Sequence, residues 1–148
     1  MLFCLVVGFA LLACDGSSGG DGNGGGTRVG DVEPNDDPDT SVSMPAQDVT
    51  INGTVSSTDE YDSFTFTGDG STVDITLSMD TGTDIDLELW ESPTSDFADA
   101  LLVDLSYQDG DVDETITYDT VDGYTYWIAV SWYAGSGDVS YTLDVDFY

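Results

Sequence analysis

The sequence predicts an all-β fold, an antiparallel β-sandwich of about eight strands with jelly-roll-like connections. Three observations point there. From Asp48 onward apolar and polar residues alternate with period two, the mark of strands with one buried and one solvated face. Polar turns, "TGDGS", "DTGTD", "SPTSD", "QDGD", "VDGY" and "AGSGD", interrupt the alternation at regular spacing. No stretch carries a convincing helical period. Strands with one apolar face each bury those faces by stacking two sheets.

The first strand is expected over residues 49–55 and the second over 61–67, where Phe64 and Phe66 point one way. The third, 72–79, carries Val73, Ile75, Leu77 and Met79 on one face. The fourth, 84–90, carries Ile85, Leu87 and Leu89, and a fifth and sixth follow at 100–106 and 114–118. The seventh, 124–132, aligns Tyr126, Ile128, Val130 and Trp132, and the eighth, 140–147, aligns Tyr141, Leu143, Val145 and Phe147. Outward Thr, Ser and Asp suit sheets with one solvated face. About 100 residues is enough for one modest core.

Charge narrows the function. The chain has 30 Asp and Glu against one basic residue, Arg28, and no His. Such a surface repels nucleic acid and anionic head groups, because phosphate binding depends on Lys and Arg. Its natural counterparts are cations, either divalent metals or screening salt. Eight Tyr, six Phe and three Trp separate it from acidic disordered chains, which lack aromatics. Without His there is no Ser-His-Asp or Cys-His arrangement, and no zinc site built on His. The composition therefore argues against an enzyme. A glycosidase-like carboxylate pair is the one remote catalytic alternative, though a minimal sandwich rarely offers the deep cleft such enzymes use.

Residues 1–14, "MLFCLVVGFALLAC", are apolar throughout. They are too few to span a bilayer, which takes about 20 residues, and have the length of a secretory signal core. Leu11-Leu12-Ala13-Cys14 resembles the lipobox of bacterial lipoproteins, with Leu12 larger than usual and no Lys or Arg ahead of the run. The resemblance implies a signal peptide over 1–13 and lipidation of Cys14. A plain secretory signal with an incidental Cys is the other reading. Residues 15–30 are half glycine, so 14–30 reads as a lipidated Cys and flexible tether, of the order of 20 Å root-mean-square for sixteen residues. The domain proper is expected over 31–148.

The segment 31–39 holds five carboxylates broken by two prolines, without strand or helix period. It is either a solvated spacer or half of a cation site. "EPND" here, "INGTV" (51–55), "DEYDSFTF" (59–66), "DIDLELW" (84–90), "GYTYWIAV" (123–130) and "YTLDV" (141–145) follow one another in a characteristic order. That ordered set is similar to the bacterial pre-peptidase C-terminal domain, a family that includes the collagen-binding modules of clostridial collagenases. The resemblance covers about residue 31 to the C-terminus. It implies a calcium site with ligands Asp31, Glu33, Asn35 and Asp36 from the acidic segment and Asp59 and Asp62 from the loop before the second strand. The donor chemistry agrees, since calcium takes six to eight oxygen ligands in flexible geometry.

"DGDVDE" (109–114) superficially resembles an EF-hand loop but lacks the sixth-position glycine and the twelfth-position Glu, so a hairpin turn is expected. Alternation places Trp127 outward on a polar face; with Tyr133 it is a candidate ligand surface, although a covering loop explains it equally well. The combined expectation is a secreted, membrane-tethered lipoprotein carrying a calcium-stabilised, non-catalytic adhesion module for an extracellular protein or polysaccharide. The alternative is a structural lipoprotein whose acidity is adaptation to salt.

Overall fold

The computed structural model describes residues 27–148. The expected signal segment, the lipidation position Cys14 and the tether as far as residue 26 lie outside the described residues.

Among the described residues ten strands form: β1 (Thr27–Gly30), β2 (Val42–Ser43), β3 (Val49–Val55), β4 (Tyr61–Thr67), β5 (Thr72–Met79), β6 (Asp84–Ser92), β7 (Leu101–Ser106), β8 (Glu114–Asp119), β9 (Thr125–Ala134) and β10 (Val139–Phe147). One 3₁₀ turn, Phe97–Asp99, sits between β6 and β7. The strands make two five-stranded sheets, ordered β1-β3-β10-β5-β8 and β2-β4-β9-β6-β7. With the two short strands set aside, the orders become β3-β10-β5-β8 and β4-β9-β6-β7, the jelly-roll arrangement of paired Greek keys. The eight long strands end within two residues of the expected positions.

Two expectations need correction. The sheets are mixed rather than purely antiparallel, because β1 pairs in parallel with β3 and β2 with β4. These strands hold four and two residues, too few for a period-two pattern to register. β1 also takes Thr27–Gly30 out of the stretch read as tether, with Val29 packed against the core. The "DGDVDE" segment is not a hairpin turn, since it joins β7 of one sheet to β8 of the other. Its Glu114 is fully buried, accepting hydrogen bonds from the Ser106 hydroxyl and, at 2.6 Å, from the Gln108 N–H, which fixes the arch.

The core lies between the sheets. Ile51, Ile75, Leu77 and Leu143 meet Phe64, Leu87, Leu89 and Ile128 across it, all essentially without solvent exposure. Burial of each such side chain contributes roughly 1.5–3 kcal/mol. Turn geometry is set locally; the "VDGY" turn, for example, puts Gly123 at φ +81°, where an L side chain would be strained.

Candidate metal centre

β1 ends on one sheet at Gly30 and β2 begins on the other at Val42, so residues 31–41 cross from sheet to sheet. The crossing is tied to β4 through the Ser63 N–H, which donates to the Asn35 carbonyl at 2.9 Å. Along it, Asp31 and Asn35 turn inward while Glu33 and Asp36 stay exposed. The turn before β4 presents Asp59, held by reciprocal backbone bonds between Ser56 and Asp59 at 2.7 and 3.2 Å. β4 itself presents Asp62.

These elements bring the six expected residues together. One oxygen each of Asp31, Glu33 and Asp62 lies within 4.8 Å of the others, and the same holds for Glu33, Asp36 and Asp59. The two triads share Glu33. Asn35 is fully buried; its Nδ2 donates to Asp31 Oδ1 at 3.0 Å, leaving Asn35 Oδ1 without a partner among the described residues. Asp62 is also fully buried; one oxygen accepts from the Tyr141 hydroxyl at 2.5 Å and the other, Oδ1, has no partner among the described residues.

Burial pushes the Asp62 carboxyl up to about 7, against the Tyr141 bond and with help from the charges of Asp31, Glu33 and Asp59. Burial likewise raises Asp31, opposed by hydrogen bonds from Asn35 and the Thr54 N–H. Glu33 is raised by burial and then by Asp59, and Asp59 by burial and then by Asp36. The Tyr141 phenol is pushed up by burial and the Asp62 carboxylate. The whole group is short of positive charge.

Sequence reasoning missed Tyr141 and Gly53. Alternation assigned Tyr141 to the core, yet a buried phenol near the end of a strand needs a hydrogen-bond partner, and that need was the available signal. Gly53 stands opposite Tyr141 in the β3–β10 ladder. A Cβ there would strike the Tyr141 hydroxyl and come within 2.8 Å of Asp31 Oδ2. The glycine of "INGTV" is thus a packing requirement of the centre.

Trp127 and Tyr133 are not brought together. Six residues separate them along β9, about 20 Å. Trp127 does face outward but is only 4% exposed, covered by Phe97 of the 3₁₀ turn at a ring separation of 5.3 Å. Tyr133 is 67% exposed, beside Tyr107 and Asp86. The open aromatic surface expected around Trp127 is therefore a covered one.

The sandwich is similar to a solved structure over most of its length. The pre-peptidase C-terminal domain of a collagenase from Bacillus anthracis is 21% identical, with a TM-score of 0.57, over 72% of this chain and 94% of that one. The fold is that of a pre-peptidase C-terminal domain. A periplasmic inhibitor of g-type lysozyme from Salmonella Typhimurium, PliG, is similar more loosely, at 12% identity and a TM-score of 0.44, over 72% of this chain and 99% of that one. No protein-family model and no curated protein matches the sequence.

The geometry of the centre sets a pH dependence. Asp62 holds its proton more tightly in the metal-free native state than in the unfolded chain, so stability falls as pH rises from the ordinary carboxyl value of 3.8 through about 7. In chelator, unfolding free energy should drop by on the order of 3 kcal/mol between pH 5 and pH 8. Asp62→Asn should flatten that slope, and a slope unchanged in the variant would assign it elsewhere. Gly53→Ala should cost about 1–3 kcal/mol in urea unfolding through overpacking against Tyr141; a neutral substitution would show that the ring is not held there.

Proposed function

We propose that this chain is a non-catalytic binding or adhesion module, stabilised by calcium and held outside the cytoplasm as a bacterial lipoprotein through Cys14. The observation that carries the metal reading is the pair of buried orphan oxygens, Asn35 Oδ1 and Asp62 Oδ1, set among two overlapping carboxylate triads. A buried acceptor without a partner costs about 1–3 kcal/mol, and more when charged. A cation seated between Asn35 and Asp62 would answer both oxygens. The donors fit the group: all are hard oxygens on a flexible segment and a loop, an irregular set that calcium accepts and magnesium, which demands near-ideal octahedral geometry, does not. Asp31, Asn35 and Asp62 would hold an inner ion, Asp36 and Asp59 a second, with Glu33 between them. The role of the metal would be structural, drawing the crossing segment onto both sheets.

Binding is favoured over a purely structural role by the clustering of aromatics on one outer sheet face, where Trp90, Phe97 and Trp127 pack together. Tethering is supported by the sequence of the first 30 residues, in which an apolar run, Cys14 and a glycine-rich spacer follow in order. The ligand would be an extracellular protein or a polysaccharide. Nucleic acid is disfavoured by a net charge of −29.

Saturating calcium should raise the unfolding midpoint of the purified protein by on the order of 10 °C, the effect of a ligand at about 100 times its Kd on a domain of this size. The rise should vanish in Asp59→Ala/Asp62→Ala and should not be matched by magnesium at equal ionic strength. A midpoint indifferent to calcium would leave the acidity as a matter of salt and solubility. For the anchor, labelled palmitate should enter the protein expressed in a bacterial host and be lost in Cys14→Ser; equal labelling of the two would remove the lipoprotein reading.

A further inference from the structure

The outer face of the β4-β9-β6 sheet carries a groove that the cation centre does not use. Two compartments of about 180 and 360 Å³ lie on either side of a pinch made by Phe97 and Pro38, which line both. Phe97 comes from the 3₁₀ turn and Pro38 from the crossing segment. The smaller compartment is walled by Trp90, Tyr61 and Ala129, with Ser63 and Glu88 among its polar groups. The larger runs over the hydroxyl residues Ser43, Thr65, Ser95 and Thr125, beside Trp127.

The site is built rather than incidental. Phe97 packs against both indoles, at 5.5 Å from Trp90 and 5.3 Å from Trp127. Trp90 Nε1 donates to Glu88 Oε2 at 2.8 Å, which fixes the indole plane. The Ser63 side chain lines the smaller compartment at 4% exposure, and its hydroxyl has no hydrogen-bond partner among the described residues. Buried hydroxyls are normally paired, so this one points to a partner from outside.

We propose that the groove binds an uncharged glycan, with one sugar ring stacked against Trp90 and Phe97 and the next lying over the hydroxyls of Thr65 and Thr125. The apolar face of a pyranose matches an aromatic wall, while its hydroxyls need the acceptors and donors that Ser63, Glu88 and the Ser/Thr rim supply. Asp36, Asp37 and Glu88 at the smaller compartment and Asp39 at the larger repel uronates, sulfated sugars and sialic acids. An aromatic or prolyl side chain of a peptide would fill the smaller compartment but offer nothing to the hydroxyl rim of the larger one, where Ser43, Ser95 and Thr125 stand near a Thr65 whose hydroxyl donates to the Tyr126 carbonyl at 2.9 Å. This inference rests on the binding-module reading and names its ligand class.

The test is calorimetry and tryptophan fluorescence on the full-length protein in saturating calcium, with cellohexaose, chitohexaose and maltohexaose as probes and an oligogalacturonate as the anionic control. At least one neutral hexaose should bind with a change in tryptophan emission, and the anionic oligomer should not. Trp90→Ala and Phe97→Ala should each weaken binding at least about tenfold while leaving the calcium-induced rise in midpoint intact. No binding by any neutral probe to protein with a normal calcium response would overturn the glycan proposal and leave the metal reading standing. The glycan proposal falls equally if a proline-rich peptide binds in their place, or if the variants bind as tightly as the parent. Shortened products would support the groove as a glycan site and instead overturn the non-catalytic reading, and loss of the calcium response alone would count against the metal.

Discussion

A buried carboxylate with no cation inside the chain is the constraint on which the rest of this structure depends. Asp62 is fully buried among Asp31, Glu33 and Asp59, and Tyr141 offers it a single neutral hydrogen bond. Burying an unpaired charge is costly, and most proteins answer with Arg or Lys. This sequence cannot, since its one basic residue, Arg28, lies exposed on β1. Two neutralising partners remain, a proton or a metal from solution. The elevated Asp62 carboxyl is the proton solution, and the orphan oxygen beside it fits the metal one.

Topology puts that carboxylate where its neutralisation matters to the fold. β3 and β4 are consecutive in the chain but lie in different sheets, and β1 and β2 extend those sheets alongside them. The acidic segment therefore works as a clip across one end of the sandwich. The Tyr141–Asp62 bond spans the same gap, from β10 of one sheet to β4 of the other. Without a cation the clip rests on the short parallel pairings of β1 and β2, and on the Ser63–Asn35 backbone bond. Like charges along Asp31, Glu33 and Asp36 push against those few contacts. A divalent ion would turn the same charges into the attachment and so couple its binding to the ordering of the segment.

Most of the fold was legible because its strands are long and half-buried. Ile75 and Leu77 on β5, or Leu87 and Leu89 on β6, repeat often enough for period two to be unmistakable, and turn residues close each run. β1 and β2 were not legible, because "TRVG" and "VS" carry no alternation and owe their pairing to neighbours already in place. The candidate centre was legible in its ligand types and in their grouping along the chain. Tyr141 and Gly53 were not, because their roles arise from register across β3 and β10, which no local pattern encodes. Trp127 shows the opposite limit. Alternation gave its face correctly, yet exposure depended on Phe97, thirty residues away in a loop.

The two outer faces of the sandwich carry different side chains. On the β3-β10-β5-β8 sheet short polar side chains satisfy one another across strands. Thr50 donates to Asp144 at 2.6 Å, Thr72 to Asp119 at 2.6 Å and Thr142 to Asn52 at 3.1 Å. Hydroxyls there take the place that Lys and Arg hold elsewhere, although Asp74 Oδ1 on β5 is buried without a partner among the described residues. On the opposite sheet Trp90, Phe97 and Trp127 pack together beside the Ser63 hydroxyl, which has no partner among the described residues. The wall of that groove includes Asp36 and Pro38, which belong to the crossing segment. Whatever fixes the segment at Glu33 and Asp36 also fixes the groove wall at Pro38, two residues on. Because linkage is reciprocal, a ligand that selected the ordered wall would in turn tighten the hold of the segment on any cation bound there.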